Sequence, residues 1–101
     1  MGKWIYTLKN GTSLRSAIDD GDLDQVLDCL ADCFREILQA LPDYYDDSDL
    51  ESDLESIENA RDNLEHYEEY DMSLSDVEEE VDSLLNDFYD LCDSYGIWVD
   101  T

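Results

Sequence analysis

A mainly α-helical fold with a small β element is what this sequence predicts. The expected architecture is one acidic domain over residues 1–101. It is a bundle of three to four helices with a short two-stranded ribbon pairing the N- and C-terminal segments. Three observations lead there. Apolar residues recur at helical period in three long segments. A β-rich stretch lies near each end. The chain, 101 residues with 43% hydrophobic and 11% aromatic content, holds enough apolar material for one core and is too short for two.

Lys3–Leu8 (KWIYTL) is rich in β-formers and reads as a short strand. Asn10-Gly11 is a turn signal. Thr12 or Ser13 is then placed to cap a short helix that carries Leu14, Ala17 and Ile18 and stops near Asp20-Gly21. Asp22, with Gln25 three residues on, has the spacing of a capping box. It opens a second helix from about Leu23 to Leu41, which Pro42 ends. Leu23, Val26, Leu27, Leu30, Cys33, Phe34, Ile37, Leu38 and Leu41 give this helix a wide apolar face, that of a central core helix.

Residues 43–49 (DYYDDSD) read as an acidic loop. A third helix is expected from about Leu50 to Tyr67, with Leu50, Leu54, Ile57, Ala60, Leu64 and Tyr67 as its apolar stripe. Glu68–Met72 connects it to a fourth helix capped by Ser73 or Ser75, where acids in the first turn suit the helix dipole. The stripe expected there is Val77, Val81, Leu84, Phe88, Leu91 and Tyr95. Gly96 is a natural residue to end the helix. Ile97–Asp100 (IWVD) reads as a closing strand, and Ile97–Val99 is expected to pair with Trp4–Tyr6.

The charge separates this chain from an ordinary small domain. There are 29 Asp and Glu against 5 Lys and Arg, a net of −24. Residues 1–41 hold 7 acids and 4 bases, whereas residues 42–101 hold 22 acids and one base, Arg61. Such a balance excludes direct binding to nucleic acid or to an anionic membrane, which need the opposite sign. It favours basic partners. No apolar run has the length of a membrane span, and no signal peptide opens the chain. Three cysteines, an odd count, point to reduced thiols and a cytoplasmic setting.

On the third helix, at ~100° per residue, Glu51, Glu55, Glu58, Asp62, Glu65 and Glu69 fall in one row along a single flank. Neighbours in such a row have Cβ atoms about 5–6 Å apart, and at ~6 Å in water each like-charge pair repels by ~0.7 kcal/mol before screening. On the fourth helix Asp76, Glu78, Glu79, Glu80, Asp82, Asp87, Asp90 and Asp93 cover most of the exposed surface. Solubility alone asks for a net charge of only about 2–8 in magnitude. The excess costs stability, which points to a use: carboxylates at regular intervals along a rigid rod approximate a thinned row of DNA phosphates. Crowding is expected to raise carboxyl pKa values, so that lower pH and added salt stabilise the fold.

The remaining constellations do not assemble into chemistry. Cys29 and Cys33 at i,i+4 supply two soft ligands where a structural zinc site needs four; small buried residues are the expectation. His66 stands on a polar face without a nucleophile beside it. An EF-hand loop begun at Asp43 would put Ser48 at position six and Leu54 at position twelve, and one begun at Asp20 would put Ala31 at twelve; neither fits. No cofactor, metal or catalytic residue is therefore expected. Arg61, beside an apolar stripe, is expected to tether carboxylates of a neighbouring helix. Tyr44 and Tyr45 lie in the acidic loop, where aromatic rings pack well on Arg guanidinium planes.

In its size, its acid-studded helices (ESDLESIENARDNLEHYEEYD and SDVEEEVDSLLNDFYD) and its lack of a catalytic constellation, the chain resembles phage-encoded acidic DNA-mimic proteins that disarm host defences, including anti-restriction and anti-CRISPR inhibitors. The resemblance spans residues 43–95. It implies a non-enzymatic inhibitor, acting in the host cytoplasm, whose partner is a basic DNA-binding protein such as a CRISPR effector nuclease or a restriction enzyme. The surface expected to meet that partner comprises Asp43, Tyr44, Tyr45, Asp46, Asp47 and Asp49 of the loop. It continues through Glu51, Glu55, Glu58, Asp62, Glu65 and Glu69 on the third helix and Asp76, Glu79, Glu80, Asp87 and Asp90 on the fourth. The alternative is an acidic adaptor or chaperone-like module that binds a basic protein away from any DNA site. The wide face of the second helix, with Cys29 at its edge, offers a route to a homodimer.

Overall fold

Asp22 accepts a hydrogen bond from the Gln25 backbone N–H at 3.3 Å and so starts the most apolar helix of the described residues. In the computed structural model, which describes residues 4–99, that helix is the second of four. The order is β1 (Tyr6–Thr7), α1 (Gly11–Asp20), α2 (Leu23–Ala40), α3 (Asp47–His66), α4 (Leu74–Tyr95) and β2 (Ile97–Trp98). Helices account for 73% of the described residues. The mainly α fold with a small β element follows the sequence expectation.

The central position of α2 comes from its composition. Val26, Leu27, Leu30, Cys33, Phe34 and Ile37 are all buried, and α1, α3 and α4 each pack against it. Cys29 is also buried. The wide face of α2 is thus covered within the chain, and Cys29 lies inside the core rather than at an outward edge. Gln25 does not complete a capping box; its side-chain amide turns to Cys29 Sγ at 3.7 Å.

β1 and β2 pair in parallel, Tyr6 with Ile97 and Thr7 with Trp98. The ribbon joins the expected segments, one residue shorter on each strand and moved on β1 from Trp4–Tyr6 to Tyr6–Thr7. The expected strand Lys3–Leu8 contracts to Tyr6–Thr7 within the described residues; Lys3 and Asp100 lie outside them. Leu8 leaves the strand to enter the core, while its N–H still donates to Trp98 O at 2.8 Å. The turn after β1 brings Gly11 so close to the last described residue that a Cβ there would lie 2.1 Å from the Val99 carbonyl oxygen.

Two helix starts and one buried face differ from expectation. α1 begins at Gly11, and neither Thr12 nor Ser13 caps it. Asn10 occupies the cap position in the helical region of the backbone without a side-chain capping bond, and its Nδ2 donates to Glu36 Oε1 at 2.7 Å. α3 begins at Asp47 rather than Leu50, because Asp46 accepts from the Asp49 N–H at 3.0 Å and nucleates the helix one turn early. The buried face of α4 is rotated: Val77, Val81, Leu85, Phe88 and Cys92 are buried, and Leu84 and Leu91 are only partly so. Ser73 caps α4 in a complete capping box with Asp76, and Gly96 ends it at φ 72°.

Candidate acidic protein-binding surface

The carboxylate row of α3 stands outside the core on a helix fixed at both borders. Towards α2, the Arg61 guanidinium binds Asp28, and its Nε lies 3.7 Å from Asp24. Towards α4, Asn63 Nδ2 donates to both oxygens of Glu80, at 3.2 and 3.1 Å. The tether expected of Arg61 is therefore present. Between these borders Glu51, Glu55, Glu58, Asp62 and Glu65 are exposed in one row. Glu69 is exposed too, but lies in the turn beyond the end of α3.

The near end of the row forms a shallow cleft of about 600 Å³, with Leu50 and Leu54 half-buried at its base and Asp47, Glu51, Glu55 and Glu58 around it. At the far end Tyr70 Oη donates to Asp62 Oδ2 at 2.9 Å, which pushes the tyrosine pKa up. His66 sits among the acids: Nδ1 is 3.4 Å from Glu69, and Nε2 is 3.9 Å from both Asp62 and Glu65.

The loop residues divide. Asp43 and Tyr44 are exposed, with the Tyr44 carbonyl accepting from Tyr95 Oη at 2.8 Å. Asp46 is exposed as the cap of α3, and Asp47 and Asp49 occupy its first turn. Tyr45 is different. It is 1% exposed, its ring stacks on Phe34 with centroids 6.1 Å apart, and its hydroxyl donates to Asp53 Oδ2 at 2.6 Å. Tyr45 therefore belongs to the core and presents nothing to a partner. A tyrosine flanked by acids looks like a surface residue locally; the cavity that receives its ring is formed by α2, which sequence spacing cannot show.

Asp53, an acid that sequence reasoning did not single out, is half-buried beside Tyr45 rather than part of the exposed row. Burial pushes its carboxyl pKa up; the Tyr45 hydrogen bond opposes this, and the charges of Asp49 and Asp87 add to the rise. Acids of α3 and α4 thus converge beside Tyr45. Asp24 and Asp28 were missed as well. Both are exposed on α2, and Arg61 brings them to the border of the α3 row, so the acidic flank crosses from one helix to the next. Their i,i+4 spacing was the available signal.

On α4, Glu79, Asp87 and Asp90 are exposed. Asp76 closes the capping box by accepting from the Ser73 N–H at 3.1 Å, and Glu80 is half-buried against Asn63. These two carboxylates are engaged in holding the fold. The three cysteines are buried free thiols. Burial pushes the Cys33 thiol well up and the Cys92 thiol up to about 12, so both are protonated inside the core. None of the described helices is long and apolar enough to cross a membrane. No family model, no curated protein and no solved structure matches the chain.

Proposed function

We propose that this protein is a non-enzymatic inhibitor that occupies the DNA-binding groove of a host defence enzyme, a CRISPR effector nuclease or a restriction enzyme, with the acidic flank of α3. The supporting observation is the exposed row of carboxylates on a helix braced on both sides. α3 has 20 residues and is therefore about 30 Å long, and its acids recur every ~5–6 Å along one flank. A groove lined with Lys and Arg releases counterions when it binds DNA. A rigid row of carboxylates offers that groove the same exchange of salt for fixed charge. Asp24, Asp28, Asp87 and Asp90 broaden the footprint, and Tyr44 supplies a ring for a guanidinium to stack upon. Buried free thiols suit the reducing cytoplasm where such an enzyme works.

The test is competition with DNA. Purified effector nuclease and restriction enzyme are each immobilised, with and without bound target DNA, and titrated with the protein across a salt series. Binding should fall steeply with salt and be blocked on the DNA-loaded enzyme. Equal binding to free and DNA-loaded enzyme would remove mimicry as an explanation. If neutralising Glu51, Glu55 and Glu58 abolished capture of a basic protein yet left nuclease activity untouched, the adaptor reading would take its place.

A further inference from the structure

The cleft over Leu50 and Leu54 gives the acidic row an apolar floor that a row of charges does not need. Its lining residues, Asp47, Leu50, Glu51, Leu54, Glu55 and Glu58, all belong to α3 and recur at helical spacing, so they form one face of that helix. From Asp47 to Glu58 this face runs for about three turns, or ~16 Å. The two leucines pack on the core from one side and remain partly open to solvent on the other. Among the described residues, no ion pair or side-chain hydrogen bond engages the carboxylates of Asp47, Glu51, Glu55 or Glu58. Residues 42–101 supply one base, Arg61, and it is turned away to Asp28.

We propose that this face of α3 docks a basic amphipathic helix of a partner protein, whose apolar side chains cover Leu50 and Leu54 while its Lys and Arg side chains reach the four carboxylates. Charge complementarity selects the occupant. Four unpaired carboxylates around an apolar floor repel an acidic or a phosphate-bearing ligand and attract a cationic one. The floor then separates two kinds of cation. A flexible lysine tail or a flat basic surface neutralises the carboxylates and leaves the leucines wet. A helix laid alongside α3 meets both at once, since its apolar stripe repeats at the period of Leu50 and Leu54 and its flanking positions carry the charge, as in paired helices with an apolar seam between charged edges. The apolar contact survives when salt screens the ion pairs. Such a helix is a feature of the basic groove proposed above, so this docking rests on that reading.

Synthetic peptides titrated into the full chain test it. One carries leucines in a single helical stripe with lysines elsewhere. A second has the same composition, permuted so that the leucines are spread around the helix, and the third is oligolysine of equal charge. The striped peptide should bind at least about tenfold tighter than the permuted one, the gain expected from covering leucine side chains, and it should keep that advantage in high salt. In methyl NMR spectra of the unaltered chain it should shift the signals of Leu50 and Leu54. Oligolysine should bind in low salt only and leave those methyl signals in place. Equal affinity for the striped and permuted peptides overturns the docking, and so do methyl shifts confined to other residues; the row then acts through charge alone, and the DNA-groove reading stands. If none of the peptides binds even in low salt, the acidic flank is no docking surface and both readings fall.

Discussion

Glu36 shows what one carboxylate does when the fold surrounds it with donors. Its oxygens accept from Tyr6 Oη at 2.5 Å, Lys9 N at 2.7 Å, Asn10 N at 3.0 Å and Asn10 Nδ2 at 2.7 Å. Burial alone would push this carboxyl up, but the hydrogen bonds outweigh it and hold the pKa below the usual glutamate value. The same bond pushes the Tyr6 hydroxyl up to about 12. A folded pKa below the unfolded one stabilises the protein above the ordinary value, and the benefit is lost as pH falls through the depressed one. Glu36→Ala should cost about 2–3 kcal/mol, since a charged acceptor is removed and backbone donors are left unpaired; urea denaturation at neutral pH measures it. Asp53 behaves oppositely. Its folded pKa is raised, so its ionised form opposes folding at neutral pH, and stability from this group rises as pH falls towards the ordinary aspartate range. Asp53→Asn, which keeps an acceptor for Tyr45, should stabilise the protein at neutral pH and flatten its melting-temperature profile on mild acidification. A variant less stable than the parent at neutral pH would mean that Tyr45 needs the full carboxylate.

At the scale of elements, the helices were legible and their borders were not. Period alone located α2, because a nearly unbroken apolar face admits one orientation. On α4 two leucines stand side by side at 84 and 85, and 91 and 92 are both apolar. The choice between Leu84–Leu91 and Leu85–Cys92 is made by what α4 packs against, and spacing holds no record of that. The early start of α3 was readable in principle from Asp46 and Asp49, but a run of acids hides which one is the cap. In the site, the row on α3 was legible because it depends only on helical period, whereas the burial of Tyr45, the approach of Asp24 and Asp28 and the turn of Asn10 towards Glu36 all depend on contacts between distant segments. The row carries its own prediction. Like charges at i,i+4 oppose a helix by roughly 0.2–0.5 kcal/mol per pair. Replacing Glu51, Glu55 and Glu58 by Gln should therefore raise stability by about 1 kcal/mol in low salt, and the gain should shrink in high salt, where the parent itself melts at higher temperature. If the variant melts lower than the parent in low salt, the acids are individually paired rather than repelling one another.

For the molecule as a whole, charge and apolar surface are separated. Acid gathers on α3 and α4 and on the side of α2 that Arg61 joins to them, while the exposed tryptophans gather where the chain's two ends meet. This segregation lets a small domain tolerate −24: the repulsion acts mostly between solvated groups on outward faces, where screening is strongest, and the core behind it contains no buried charged residue among those described.

The parallel pairing of β1 with β2 sets an order of events. Contacts among the helices are mostly between neighbours in sequence and close quickly, but the Tyr6–Ile97 pair spans nearly the whole chain, and closing so long a loop is favourable only once the intervening helices are in place. The ribbon is then the last part to assemble and the first to open. In native-state hydrogen exchange, the amides of Ile5 and Leu8, which donate to Gly96 and Trp98 carbonyls, should exchange through a partial opening of lower free energy than the amides of α2. Because Trp98 lies in that ribbon and Trp4 packs against it, tryptophan emission should change before the helical signal does, in a separate early step during gentle denaturation.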